Sequence, residues 1–192
     1  MGFSNSIIAI KGEHLNRSEE IFTIFNYIDN KKDQTFYHWD QASEYLFTNY
    51  VEFANKEIAL RGIWIDNGWT MICDPELVDP TEEEKLISLS RLLNTEVWTF
   101  LIQTSSASYS FAKFDHDKTR SFFVSKGKVV ENTGSPLAQE KGFNINENFC
   151  VGEISSIGKN LGININPEGR LDYVVKELVY DDELKMQLAK LK

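Results

Sequence analysis

The stretch EVWTFLIQTSSASYSFAKFDHDKTRSFFVSKGKVVE, residues 96–131, decides the fold class. Four segments within it, 96–103, 109–114, 119–124 and 128–131, alternate or nearly alternate between apolar and polar side chains. Successive side chains of a strand point to opposite faces, so a period of two marks a strand. The connections are short and polar: Thr104-Ser105-Ser106-Ala107-Ser108, Asp115-His116-Asp117-Lys118 and Lys126-Gly127. Consecutive strands joined this way pair antiparallel, so the segment predicts a four-stranded meander.

Upstream, residues 58–65 and 69–73 read as the arms of a hairpin around Asp66-Asn67-Gly68, because Asn and Gly tolerate positive φ. Between hairpin and meander, Thr81 and Glu84 have the spacing of a capping box, and Glu82, Glu83 and Glu84 suit the positive end of a helix dipole. Leu86, Leu89 and Leu93 form the buried stripe of that helix, and Asn94 is its expected stop. Nearer the N-terminus lie a strand at 7–11 and a helix capped by Ser18 or Asn16, with Ile21, Ile24, Phe25 and Ile28 on one side. A polar turn follows at 29–33, then an extended segment at 35–39. A second helix is capped by Asp40 and carries Ala42, Tyr45, Leu46, Asn49, Tyr50 and Phe53 on one face.

Downstream, 133–148 has no clear period and contains Gly134, Pro136 and Gly142, which predicts a long surface loop. A helix is expected over 147–161 with Cys150, Ile154, Ile157 and Leu161 inside, stopped by Gly162 and Ile163. Residues 171–180 read as a strand, and Asp181-Asp182 begins a terminal helix with Leu184, Leu188 and Leu191. Helices and antiparallel strands are partly segregated along the chain. The expected architecture is α+β: an antiparallel sheet with a central meander, helices packed mainly on one face, and residues 1–192 in a single domain.

Length and charge narrow the function. A chain of 192 residues can bury its own core without staples. Its net charge of −9 argues against nucleic acid or an anionic membrane as partner, since both require clustered Lys and Arg. No apolar run approaches the ~20 residues of a membrane span. The N-terminus lacks a basic region and a signal-type apolar core, and Gly2 with Ser6 matches an acylation pattern only superficially. Cys73 and Cys150 are the two cysteines, far apart and outside any CxxC spacing, which fits a reduced pair in the cytoplasm.

No segment carries a recognisable catalytic set. The three histidines, His14, His38 and His116, have no metal-ligand spacing, and Asp115-His116-Asp117 is accounted for as a turn. The hydroxyl-rich run 104–108 lacks a nucleophile elbow and lacks the glycines of a phosphate loop. Gly158-Lys159-Asn160-Leu161-Gly162 lacks Walker spacing and reads as a helix end. We therefore expect no catalytic residue, no metal and no cofactor. The acidic segment stands out: Asp74, Glu76, Asp79, Glu82, Glu83 and Glu84 fall within eleven positions, with Lys85 the sole compensating charge. It reads either as a solvated loop leading into a capped helix, or as a surface for a basic partner. In the second reading Trp64 and Trp69, which flank the hairpin turn, supply aromatic anchors.

Residues 58–142 resemble a loose group of small bacterial cytosolic proteins of unknown biochemistry. The resemblance lies in Gly68-Trp69-Thr70 leading to Asp74, the helix from Thr81, and Gly134-Ser135-Pro136-Leu137 with Glu140 after the meander. Several members are encoded near polymorphic toxin systems and are treated as candidate immunity proteins. That implies a cytosolic binding protein that neutralises a basic toxin by direct contact. The alternatives are an enzyme whose site is assembled from sequence-distant residues, and an adaptor or structural domain.

Overall fold

In the computed structural model, which describes residues 4–143, 145–146 and 148–190, the chain begins with β1 (Ser4–Lys11), α1 (Ser18–Ile24), β2 (Tyr27–His38) and α2 (Trp39–Ala54). The hairpin β3 (Ile58–Asp66) and β4 (Trp69–Cys73) leads to α3 (Glu83–Leu93). The meander is β5 (Val97–Gln103), β6 (Ser108–Phe114), β7 (Lys118–Ser125) and β8 (Lys128–Thr133). A long loop then precedes α4 (Val151–Leu161), β9 (Arg170–Tyr180) and α5 (Asp182–Ala189). Gly2, Glu147 and Leu191, each singled out in the sequence, lie outside the described residues.

Nine strands among the described residues form one antiparallel sheet in the order β2-β9-β3-β4-β1-β5-β6-β7-β8. The fold is α+β, and the meander occupies one half of the sheet as the alternation requires. The distribution of helices corrects the expectation of one covered face. In β1, Ile7 and Ala9 face a core shared with Ala42 and Leu46 of α2 and Ile154 and Ile157 of α4. Ile8 and Ile10 face a second core with Ile21 and Phe22 of α1 and Leu86, Leu89 and Leu93 of α3. The cause was visible locally: β1 and β4 are buried at nearly every position, so both faces of the sheet centre need cover.

Four local readings are also corrected. First, α1 stops at Ile24, Asn26 takes φ 66°, and Ile28 lies exposed in β2. The supposed turn at 29–33 belongs to β2, which pairs with β9 across an irregularity between Asp29 and Lys32. Lys176 of β9 holds this stretch by bonding Asp29 (3.1 Å) and Asp33 (2.8 Å), a partnership invisible to helical periodicity. Second, α2 begins one residue before Asp40, with His38 at the cap position. Third, the Thr81–Glu84 box does not form. Thr81 sits in a 3-10 turn, its hydroxyl donates to the Val78 carbonyl at 2.7 Å, and Glu82 takes the cap position of α3. Fourth, Cys150 is exposed at the cap of α4, where its N–H donates to the Glu153 carboxylate at 2.9 Å. The helix stops hold: Asn94 ends α3 at φ 50° and Gly162 ends α4 at φ 75°.

The loop after β8 is fastened by a buried ion pair. Arg120 of β7 donates from Nε and Nη2 to the two Glu140 oxygens, both at 2.8 Å. Its Nη1 donates to the carbonyls of Ser121 and Thr133 and to Asn132 Oδ1. Gly134 lets the chain leave β8: it has φ 77°, and a Cβ there would collide with the Thr119 carbonyl oxygen. Gly134→Ala combines a left-handed alanine with a backbone clash, so it is expected to destabilise the fold by about 2–4 kcal/mol in urea unfolding. A midpoint equal to wild type would refute that reading of the turn.

Candidate functional site

The acidic segment divides into a buried half and an exposed half. The buried half is organised by Arg61 of β3, which is fully buried. Its Nε and Nη2 donate to Asp79 at 2.6 and 3.2 Å, and Nη1 donates to Glu76 at 2.7 Å and lies 3.1 Å from Asp74. The remaining donors reach the Leu60 carbonyl (2.9 Å) and the Tyr27 hydroxyl (2.7 Å). Tyr27 in turn donates to Asp79 at 2.8 Å. Asp74 also shapes the chain, since its carboxylate accepts the N–H groups of Glu76, Val78 and Asp79 at 2.7–2.8 Å. Burial pushes the Asp74 carboxyl up to about 7, helped by the charge of Asp79 and opposed by Arg61. Burial likewise drives the Tyr27 hydroxyl well above its ordinary value.

This geometry corrects the proposed partner surface. Asp74 and Asp79 are 0% and 2% exposed, and Trp64 and Trp69 are 0% and 5% exposed. Trp64 packs between Trp39 and Tyr173 with ring centroids 5.0 and 5.5 Å away, and Trp69 donates its indole N–H to the Leu161 carbonyl at 3.2 Å. None of these four is offered to a partner by the folded surface. Glu76 is half-buried against Arg61. Glu83 and Glu84 remain exposed and Glu82 partly so. Sequence reasoning missed Arg61; the available signal was a lone arginine inside the apolar run Ile58-Ala59-Leu60-Arg61-Gly62-Ile63-Trp64-Ile65.

Of these exposed carboxylates, Glu83 lines a groove of about 520 Å³. On the face covered by α1 and α3, helix α3 stops short of the outer meander, and part of β5–β8 is left open among the described residues. Register sets the floor. One row is Thr99, Ala112 and Ser121; the next is Leu101, Ser110, Phe123 and Glu131. At the far end, the Ser106 hydroxyl donates to Ser108, which bonds Ser125, both at 2.9 Å. The hydroxyl-rich run 104–108 thus contributes to this end of the groove as well as connecting strands. The opposite wall comes from Glu76, Pro80, Thr81 and Glu83.

Lys118 spans the mouth, 2.6 Å from Glu83 on α3 and 2.8 Å from Glu131 on β8. Burial works to lower the Lys118 ammonium, but the bonds from Glu131 and Glu83 outweigh it and the net shift is upward. Burial works to raise the Glu131 carboxyl, but Lys118 outweighs it, with the Ser121 and Thr133 hydroxyls adding to the downward shift. Thr99 is only 4% exposed, and its hydroxyl has no hydrogen-bond partner among the described residues.

Elsewhere, His116 lies in the β6–β7 turn, 3.1 Å from Asp115 and 2.9 Å from Asn94 Oδ1. Among the described residues no cluster of three or more His, Cys, Asp or Glu has the geometry to hold a metal, and no helix is long and apolar enough to cross a membrane. Comparison with protein-family models, with curated proteins and with solved structures finds no match.

Proposed function

We propose that this is a binding protein without catalytic activity of its own, which holds a basic protein partner against the groove and the acidic start of α3. The observation that carries the reading is the pairing of an uncovered sheet face with exposed carboxylates on one rim. The ionisable groups at that rim, Glu83, Lys118 and Glu131, are tied up in ion pairs with one another, with one carboxylate charge in excess, which favours binding over acid–base chemistry. A net charge of −9 favours encounter with a cation-rich partner over long range. Neutralisation of a basic bacterial toxin in the cytoplasm, which the resemblance of residues 58–142 implies, is the form of this reading we favour.

The test uses the toxin domain encoded beside the gene, where one exists, and a Glu82→Lys/Glu84→Lys variant. Asp79 is left intact because it holds Arg61. The variant is expected to associate roughly ten-fold more slowly at low salt and to approach wild type at high salt, because exposed charges act mainly on encounter. Equal association rates and equal protection of toxin-expressing cells would remove the acidic rim from the interface.

A further inference from the structure

The groove floor holds hydrogen-bonding capacity that the fold leaves unused. Thr99 is 4% exposed, lines the groove, and its hydroxyl bonds no described residue. Ser110 lies diagonal to it across β5 and β6, and its hydroxyl is equally without a partner among the described residues. Both residues line the groove, so each hydroxyl oxygen is available to accept a bond from a donor bound there.

The charge around these hydroxyls has one sign in excess. Glu83 and Glu131 come from different elements yet converge on a single ammonium, that of Lys118, at 2.6 and 2.8 Å. Glu76 adds a third carboxylate to the lining. Phe114 and Phe123 supply apolar flanks to the same groove. The volume, about 520 Å³, falls within the roughly 300–1,000 Å³ of ordinary ligand sites.

We infer that the groove receives an arginine side chain carried on an extended segment of the partner. Its guanidinium donates to the Thr99 and Ser110 hydroxyl oxygens and pairs with Glu131. The inference rests on the binding role proposed above and names the chemistry of that site. A planar guanidinium offers five donors in several directions and stacks against rings, which suits separated acceptors beside aromatic walls. A lysine would add only a second compact ammonium beside Lys118.

The full chain is to be titrated with acetyl-Gly-Arg-Gly-amide while backbone amide resonances are followed. The same titration uses lysine and the neutral isostere citrulline in place of arginine. Saturable shifts are expected at Ser110, Phe123 and Lys118 for the arginine peptide, with binding at least ten-fold weaker for the other two. Thr99→Val should weaken the arginine peptide about ten-fold by removing a bond to a charged group, while Thr99→Ser restores it and unfolding of both variants matches wild type. Equal binding of citrulline or lysine, or shifts confined to other surfaces, would overturn the inference. A full-length partner whose binding slows on rim reversal but ignores Thr99→Val would overturn the arginine insertion and leave the binding role standing. Arginine peptide seated in the groove without protection from the neighbouring toxin would do the reverse.

Discussion

Arg61→Met is expected to lower the unfolding free energy by about 3–5 kcal/mol, because removing one partner of a buried ionic cluster strands the others. Asp74 and Asp79 are buried and Glu76 half-buried around that one guanidinium. In thermal unfolding a loss of that size corresponds to roughly 6–20 °C for a chain of this length. Arg61→Lys should also be destabilising, since one ammonium cannot reproduce the fork that reaches Asp79, Glu76, Tyr27 and the Leu60 carbonyl together. The cluster carries a pH signature. The folded-state pKa of Asp74, pushed up to about 7, lies above the unfolded value of about 3.9. Its contribution to stability is therefore complete below about pH 3.9 and is lost as pH rises through about 7. Glu96 and Glu131, whose folded values are lowered, are already ionised in both states above about pH 5. Wild-type stability should thus decline between about pH 5 and pH 8. In Arg61→Met the decline should continue to higher pH than in wild type, because ionised Asp74 has lost the counter-charge of Arg61. A midpoint unchanged by the substitution, or stability rising across that pH window, would contradict this account of the cluster.

Glu140→Ala is expected to cost about 3 kcal/mol, the lower end of the range for an orphaned buried charge. Arg120 keeps the Ser121 and Thr133 carbonyls and Asn132 as neutral acceptors, which moderates the loss. The effect should also be local. Glu140 accepts the Leu137 N–H at 2.9 Å as well as two bonds from Arg120, so its removal frees the segment that follows Gly134. Limited proteolysis of the variant should cut first within residues 134–150, before global unfolding. Cleavage elsewhere first, or the same protease sensitivity as wild type, would show that the ion pair does not fasten the loop.

The meander, the 58–73 hairpin and the stops at Asn94 and Gly162 were legible in the sequence because their causes are local. Alternation depends on the pleat, and positive φ at a turn or helix end depends on the residue standing there. The continuous apolar runs of β1 and β4 likewise carried the information that both sheet faces are covered. The sequence could not separate Asp74 and Asp79 from Glu82 and Glu83. All four are carboxylates in one polar stretch, and what divides them is an arginine 13 and 18 positions before the first two, brought alongside by strand pairing. Trp64 and Trp69 were candidates for anchors because they flank a turn, and α2, α4 and the chain after α4 bury both. The groove is still less visible, because Thr99, Ser110 and Glu131 share a face only through the register of β5 to β8, and the face stays open only because α3 ends where it does. Local chemistry decided which elements form; burial and ion pairing, which join residues far apart in the chain, decided which charges hold the fold and which are left for a partner.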